Sequence, residues 1–223
     1  MSKPIIYGHE MSSVVRSVLM VAKAINLDYE YKEVDFDAGD NVTEHFLKMN
    51  PLHTVPTMDD DGLYLGESHA IGPYLIQQYG KSDDLYPRDD LRNRARIDQM
   101  LHFDNGILYW NCIRGIVMPI YNRGAATIAP AVLEEVDKAY GFMEKFLEAD
   151  VYLVGDSLTV ADLACGASIS SLFELVPADP EKYPNLHAWF KRIQGLPYYE
   201  EANGRGNARY IEMLESKRRK EGE

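Results

Sequence analysis

The spacing of apolar and polar positions changes along the chain, from a mixture of strand and helix patterns in residues 1–80 to helix patterns afterwards. In residues 1–80, β-rich runs at 4–7 and 29–36 flank a stretch in which apolar residues recur every three or four positions. That spacing predicts an amphipathic helix between two strands. The apolar positions of this helix are Val15, Val18, Leu19, Ala22 and Ile25.

Further elements complete this part of the chain. A short helix carrying Phe46 and Leu47 is predicted, with either Asn41 or Thr43 as its cap. Two brief strands flank the polar turn at residues 59–62, and another helical stripe follows. Its members are Ile71, Tyr74, Leu75 and Gln78. The order βαβ–α–ββα predicts a thioredoxin-like domain over residues 1–80, with a right-handed crossover between the parallel strands.

Beyond a polar linker at residues 81–90, the strand signal disappears. Residues 91–118 predict one long helix that Pro119 ends or kinks. Thr159 and Asp162 form a capping box at the start of a buried central helix. Additional helices are predicted at residues 130–149, 184–196 and 207–217. Residues 91–223 are therefore predicted to be an all-α domain, and the fold class is α/β followed by all-α.

Composition and charge narrow the function classes. With 46% hydrophobic and 26% charged residues, the 223-residue chain has an ordinary globular composition. A formal net charge of −12 argues against nucleic acid or an anionic membrane as the main partner. Two widely separated cysteines, Cys112 and Cys165, favour reduced thiols and a cytoplasmic location. No apolar run is long enough for a membrane span or a secretory signal, and residues 217–223 are expected to form a solvated tail.

Residues 50–71 hold the most informative pattern. Val55 precedes Pro56, which favours an extended backbone and permits a cis bond. The N–H and C=O of Val55 are then left free to pair with another extended peptide. Glu67 and Ser68 begin a helix, where N–H groups can hold a carboxylate and Glu67 can hold an ammonium. These features suit a small peptide with an amino-acid head group.

Ser12 is the strongest candidate for catalysis. A thiolate at the start of the first helix would meet free N–H groups, the positive end of the helix dipole and the Ser12 hydroxyl. Each of these lowers the pKa of a thiol. Serine is also a favoured helix cap, so residue chemistry alone leaves both interpretations of Ser12 open.

Several motifs resemble those of cytosolic glutathione transferases. Their residues are most similar to those of the insect delta and epsilon classes, epsilon in particular. The first motif reads Glu-Met-Ser-Ser-Val-Val-Arg-Ser, at residues 10–17. The others lie at residues 50–58, 66–71, 154–162 and 196–203. The resemblance covers the chain from about Ile5 to Ala208, and it implies that glutathione is the co-substrate and that no metal is needed.

The resemblance implies that Ser12 is the residue that activates the thiol. Ser13 stays a rival donor, because Ser13-Val14 stands where many relatives have two prolines. Tyr7 is a weaker rival, since the tyrosine-type classes keep their tyrosine nearer the helix, and strand packing is the better interpretation of Tyr7.

The resemblance also implies a set of glutathione contacts. His53 is expected to bind the glycine carboxylate, Val55 the cysteinyl backbone, Glu67 the γ-glutamyl ammonium and Ser68 the adjacent carboxylate. His69 is expected to reach the two-fold axis of a homodimer. The complete set is Leu52, His53, Val55, Pro56, Glu67, Ser68 and His69.

A lipophilic acceptor is expected between the two domains. Part of its site is an apolar stripe on one face of the long helix. Such a stripe is more often core than binding site, but the family's geometry points this face across the cleft. The expected residues are Met11, Tyr109, Cys112, Ile116, Ile120, Tyr210 and Leu214.

The implied activity is conjugation of the glutathione thiolate to lipophilic electrophiles, in detoxification of xenobiotics, or thiolate-assisted elimination of halide. The alternative is a glutathione-dependent carrier of hydrophobic ligands with little turnover. No metal site is expected, because the six histidines and two cysteines show no ligand spacing. The physiological electrophile is not identified by the sequence.

Overall fold

A four-stranded mixed sheet forms the centre of the N-terminal part in a computed structural model, which describes residues 2–218. The strands are β1 (Ile5–Gly8), β2 (Glu30–Glu33), β3 (Thr57–Asp60) and β4 (Leu63–Gly66). Their order is β2-β1-β3-β4, with β1 and β2 parallel and the other pairs antiparallel. Asp61 and Gly62 join β3 to β4 with positive φ at both positions, as a two-residue hairpin turn requires.

Three helices accompany the sheet. They are α1 (Ser13–Ala24), α2 (Glu44–Met49) and α3 (Ser68–Tyr79), and a single 3₁₀ turn precedes α2 at Asp40–Val42. The cap of α2 is Thr43, whose hydroxyl accepts the Phe46 N–H at 3.3 Å. Successive residues of β1 face opposite ways, so Ile6 joins the main core and Tyr7 packs with Phe46 on the other side of the sheet.

The rest of the described chain consists of helices joined by loops and contains no further strand. Their helices are α4 (Leu91–Phe103), α5 (Arg114–Arg123), α6 (Pro130–Phe146), α7 (Val160–Leu175), α8 (Pro184–Gln194) and α9 (Arg205–Lys217). Two π-helical segments, Asp104–Ile113 and Glu200–Gly204, lead into α5 and α9. The predicted thioredoxin-like order followed by an all-helical domain is confirmed. The domain division at residues 81–90 stays a prediction, and the tail beyond residue 218 lies outside the described residues.

The long helix runs from α4 through Asp104–Ile113 into α5, so the prediction that it ends at Pro119 is wrong. The alternative, a kink at Pro119, stays a prediction. Pro119 lies inside α5, and the helix continues to Arg123. It stops where Gly124 adopts a left-handed conformation with φ of 63°. A proline removes one backbone donor from a helix, whereas a left-handed residue redirects the chain.

The predicted capping box at α7 is confirmed, and it anchors a buried carboxylate. One Asp162 oxygen accepts the N–H and O–H of Thr159, and the other accepts the Leu153 N–H and the Trp189 indole N–H, each at 2.9 Å. Burial raises the pKa of Asp162, and these donors counteract that effect. Asp162 thereby joins the start of α7 to α8 and to the loop that contains Leu153.

Helix α1 connects the two parts of the molecule. It packs against α3 on one side and against α7 on the other. Val15, Val18 and Met20 are fully buried within a hydrophobic core that extends from the sheet into the helical domain. The loop before α1 is therefore held between the sheet and the helices, where a cleft opens.

Candidate functional site

Ser12 lies at the N-terminus of α1 with a hydroxyl that caps nothing. Its backbone is extended, and its side chain makes no capping hydrogen bond. Its N–H donates to the His9 carbonyl at 2.9 Å, and its carbonyl accepts the Arg16 N–H at 3.0 Å. The first N–H groups of α1 find no backbone acceptor among the described residues. Ser12 lines the cleft together with Ser13, the first residue of α1, so these free donors begin at the cleft wall.

The two rival residues differ in position. Ser13 is the first residue of α1 and lines the same cleft as Ser12, although it is buried. Tyr7 lies in the small cluster behind the sheet, with its ring 6.0 Å from Phe46, and does not line the cleft. Geometry thus keeps both serines at the cleft and places Tyr7 in strand packing.

The segment before β3 presents a free backbone pair. The Val55–Pro56 bond is cis, and neither the N–H nor the C=O of Val55 has a backbone partner within residues 2–218. Asn50 braces this segment: its buried amide donates to Thr54 and Thr57, at 3.2 and 2.9 Å, and accepts from Leu52. Sequence reasoning gave Asn50 no role, although an asparagine before a proline is a common turn signal.

The His53 side chain is exposed, and hydrogen bonds hold the His53 backbone in place. Its φ is 48°, its N–H donates to the Asn50 carbonyl, and its carbonyl accepts from the Asn41 side chain, each at 3.0 Å. Leu52 beside it is exposed as well, whereas Pro56 is buried. The His53 imidazole is thus fixed at its base and open to solvent.

The start of α3 combines backbone strain with free donors. Glu67 has φ of 66° and ψ of 112°, a conformation uncommon outside glycine that is often found at ligand sites. Its carbonyl accepts from Ala70 and Ile71. The N–H groups of Ser68 and His69 have no backbone acceptor among the described residues. This helix end suits a carboxylate, and the exposed Glu67 side chain suits a cation.

His69 turns toward a carboxylate of its own chain. Its Nε2 lies 2.9 Å from Asp104 Oδ2, with side-chain exposures of 17% and 2% for the two residues. The other Asp104 oxygen has no partner among the described residues. His69 therefore connects α3 to the long helix, and its expected role at a two-fold axis stays a prediction.

Strand pairing brings the segments that were predicted to bind the peptide to one edge of the sheet. Tyr7 pairs with Thr57, and Thr57 pairs with Gly66. The end of β1, the start of β3 and the end of β4 therefore lie side by side, and Ser12, Val55 and Ser68 follow or precede them closely.

A cavity of about 990 Å³ opens next to this edge. One wall comes from the loops after β1 and β2, and the opposite wall comes from the long helix and α9. Its lining residues are His9, Met11, Ser12, Ser13, Glu33, Asp35, Phe36, Asp37, Tyr109, Ile113, Arg114, Val117, Met118, Tyr121, Tyr210, Met213, Ser216 and Lys217. Three of the seven residues expected there line the cavity, namely Met11, Tyr109 and Tyr210.

The other four expected residues lie in the core. Cys112, Ile116, Ile120 and Leu214 are fully or almost fully buried and do not line the cavity. The helix presents Tyr109, Ile113, Val117 and Tyr121 to the cavity instead. Both stripes are apolar and spaced for a helix, so periodicity does not distinguish them, and the stripe that the resemblance favoured lies mostly in the core. The sequence-based assignment of this face is corrected accordingly.

Comparisons with known proteins agree with this geometry. The families described as "Glutathione S-transferase, N-terminal domain" and "Glutathione S-transferase, C-terminal domain" match residues 2–77 and 108–197. Glutathione S-transferase 1 of Manduca sexta is 42% identical over 95% of this chain and 97% of its own. The chain belongs to the glutathione S-transferase family.

Solved structures support the same family and class. An epsilon-class transferase from the housefly, Musca domestica, is 42% identical, with a TM-score of 0.93 and coverage of 96% of this chain and 98% of its own. A glutathione transferase homologue from Drosophila mojavensis, solved with bound glutathione, is 39% identical, with a TM-score of 0.93 and coverage of 98% and 99%. The resemblance to insect delta and epsilon transferases is therefore confirmed.

A buried arginine clamps the two halves of this transferase together. Arg16 of α1 is fully buried and donates to Ser170 at 3.1 Å, Ser171 at 2.6 Å and Asn203 Oδ1 at 2.8 Å. No carboxylate pairs with it among the described residues, and burial lowers its pKa to about 10. Sequence reasoning used Arg16 only as a family marker and missed this role.

The transferase also carries a histidine–carboxylate pair in its cleft that sequence reasoning missed. His9 Nδ1 contacts Glu33 Oε1, and both residues line the cavity. The two are far apart in the sequence, and only the register of β1 on β2 shows that they meet.

The two cysteines of the transferase are unsuited to thiol chemistry. Both are buried and free, and burial raises the pKa of each thiol above its usual range, that of Cys112 to about 12. Within residues 2–218, no group of three or more His, Cys, Asp or Glu side chains could hold a metal ion. Across the same residues, no helix has both the length and the apolar character for crossing a membrane.

Proposed function

We propose that this glutathione S-transferase is of the serine type, with Ser12 stabilising the glutathione thiolate for attack on lipophilic electrophiles. One observation carries the proposal: the Ser12 hydroxyl makes no capping hydrogen bond, although Ser12 lies at the open N-terminus of α1 and lines the cleft. The Ser12 hydroxyl neither accepts a capping hydrogen bond nor donates one within residues 2–218, so its proton is free for a thiolate.

The sheet edge described above supports a binding mode for glutathione. The γ-glutamyl carboxylate binds the N–H and hydroxyl of Ser68, and its ammonium binds Glu67. The cysteinyl backbone pairs with Val55, next to Pro56, and the glycine carboxylate binds His53, with Leu52 alongside. The thiol then extends toward Ser12, because β1 and β3 are neighbours at that edge.

The thiolate is stabilised by two effects at that point. The Ser12 hydroxyl donates a charge-assisted hydrogen bond to sulfur, and the free N–H groups of α1 supply the positive end of a helix dipole. Both lower the pKa of the bound thiol, which raises the fraction of nucleophile near neutral pH. The protein otherwise holds the two reactants together.

The apolar part of the cleft supports lipophilic acceptors. Its apolar and aromatic lining includes Tyr109, Ile113, Val117 and Tyr210. The charged lining residues are Glu33, Asp35, Asp37, Arg114 and Lys217. We further propose a cytoplasmic homodimer that detoxifies such compounds, consistent with the reduced buried thiols and the family.

The decisive test compares Ser12→Ala with Ser13→Ala. Loss of one hydrogen bond to a charged sulfur costs about 1.5–3 kcal/mol, which raises the bound thiol pKa by about one to two units. Conjugation near neutral pH should fall roughly ten- to a hundred-fold and recover as the pH rises, while glutathione affinity changes little. The measurement is thiolate absorbance of the bound complex against pH.

The control variant decides between the two serines. A titration shifted by Ser13→Ala and not by Ser12→Ala would move the assignment by one residue. Retention on immobilised glutathione without turnover of chlorodinitrobenzene would instead support the carrier function.

A further inference from the structure

A histidine oriented by a carboxylate faces the acceptor side of the cleft. Gly8 and Glu33 are register partners in the parallel strands β1 and β2, so His9 emerges beside Glu33. Glu33 Oε1 contacts His9 Nδ1, and its Oε2 accepts the Tyr31 hydroxyl at 2.9 Å. The Phe36 ring meets the imidazole edge-on, with ring centres 6.0 Å apart. The imidazole is therefore held from two sides.

Its second nitrogen is available to a ligand. With Nδ1 engaged by Glu33, Nε2 remains, and no hydrogen bond reaches it within the described part of the chain. His9 lines the cavity together with Ser12, and the Ser12 N–H donates to the His9 carbonyl, so both belong to one turn. A base or acid that a third group orients beside a nucleophile site is a recurring catalytic arrangement.

We propose that His9 is a catalytic proton donor for electrophiles whose attack leaves negative charge on an oxygen, such as epoxides and conjugated carbonyls. The proposal rests on the glutathione thiolate proposed above at Ser12. Conjugation to such compounds needs a proton at the acceptor oxygen, and His9 lines the cavity with its Nε2 not engaged by Glu33.

The step balances for an epoxide. The glutathione sulfur forms a bond to one ring carbon, and the bond from that carbon to oxygen breaks with its electron pair staying on oxygen. The imidazolium of His9 gives the Nε2 proton to this oxygen, which yields a hydroxy thioether and neutral imidazole. Solvent returns a proton to His9 before the next turnover. Glu33 acts as a positioning residue that keeps Nε2 directed at the cavity.

Aromatic substitution provides an internal reference. When the thiolate displaces chloride from chlorodinitrobenzene, the leaving group departs as an anion and needs no proton. His9 should therefore affect the ratio of epoxide to aromatic activity rather than activity in general. General acid catalysis contributes about 10²–10⁴-fold, which sets the expected size of the effect.

The test measures kcat/KM of the full-length protein with a nitrophenyl glycidyl ether and with chlorodinitrobenzene. His9→Ala should lower the epoxide-to-aromatic ratio about a hundred-fold, and added imidazole should restore part of the epoxide rate. Glu33→Gln should lower the ratio less. Glu30→Gln, an exposed position on the same strand as Glu33 and outside the cavity lining, is the matched control and should leave the ratio unchanged.

Each outcome bears on one claim. A His9→Ala ratio equal to that of the parent, or no epoxide turnover by a parent active on chlorodinitrobenzene, overturns the role of His9. A ratio that falls without imidazole rescue points to a change of cleft shape and also overturns it. A parent inactive on both compounds contradicts the proposed function itself.

Discussion

At the scale of single residues, the buried arginine has the most consequential environment. Arg16 carries its charge into the core, where within residues 2–218 its terminal nitrogens donate only to hydroxyl and amide oxygens and its Nε has no partner. The fork of the guanidinium reaches Ser170 and Asn203 with one nitrogen and Ser171 with the other. An ammonium has no such fork, so Arg and Lys are not interchangeable there.

We therefore expect Arg16→Lys to lower the free energy of unfolding by about 2–4 kcal/mol, because at least one charge-assisted hydrogen bond is lost. Urea unfolding at neutral pH measures the change. Lys23→Arg on the same helix is the control, since Lys23 pairs with Glu201 in a largely exposed ion pair. A surface change of this kind should stay within about 0.5 kcal/mol. Equal stability of Arg16→Lys and the parent would contradict the claim that the Arg16 guanidinium holds the two parts of the molecule together.

At the scale of elements, the long helix carries two apolar stripes on different faces. One stripe, with Ile116, lies in the core, and the other, with Val117, lines the cleft. These neighbouring residues have similar chemistry but different surroundings. The helix thus offers a matched pair for testing where the acceptor binds.

Ile116→Ala should cost about 2–5 kcal/mol of stability, because it leaves a cavity in the core. Val117→Ala should cost less, and it should weaken S-hexylglutathione binding by up to about tenfold relative to S-methylglutathione, at about 0.8 kcal/mol per methylene. Calorimetric titration and urea unfolding of both variants give the comparison. The reverse pattern would show that the acceptor site lies on the other face of the helix.

At the scale of the whole molecule, exposed apolar side chains accompany the proposed homodimer. Leu63 and Tyr64 of β4 and Leu91 at the start of α4 are 43%, 42% and 78% exposed. Two-fold pairing is the commonest assembly of soluble proteins. The predicted pairing places two glutathione sites near one interface.

Light scattering at micromolar concentration should therefore give twice the chain mass of 25.4 kDa. The mass should be the same with and without glutathione, because the expected interface lies near the ligand but is formed by the two chains themselves. A mass equal to one chain under these conditions would rule out the homodimer.

Local patterns in the sequence determined much of this protein. Alternation and helical spacing predicted the order of elements, Thr159 and Asp162 predicted a capping box, and the 59–62 turn predicted a hairpin. The motif around Val55 and Ser68 pointed to the family. These features depend on interactions within a few residues, so they are visible in the sequence.

The tertiary structure decided which surfaces meet. Val117 lines the cleft and Ile116 the core because of how α6, α7 and α9 surround the long helix, while periodicity treats both stripes alike. His9 meets Glu33 through the register of two parallel strands, and Arg16 finds its partners on helices far along the chain. Such contacts are set by long-range packing, because the apolar pattern of one segment does not specify which neighbour covers it.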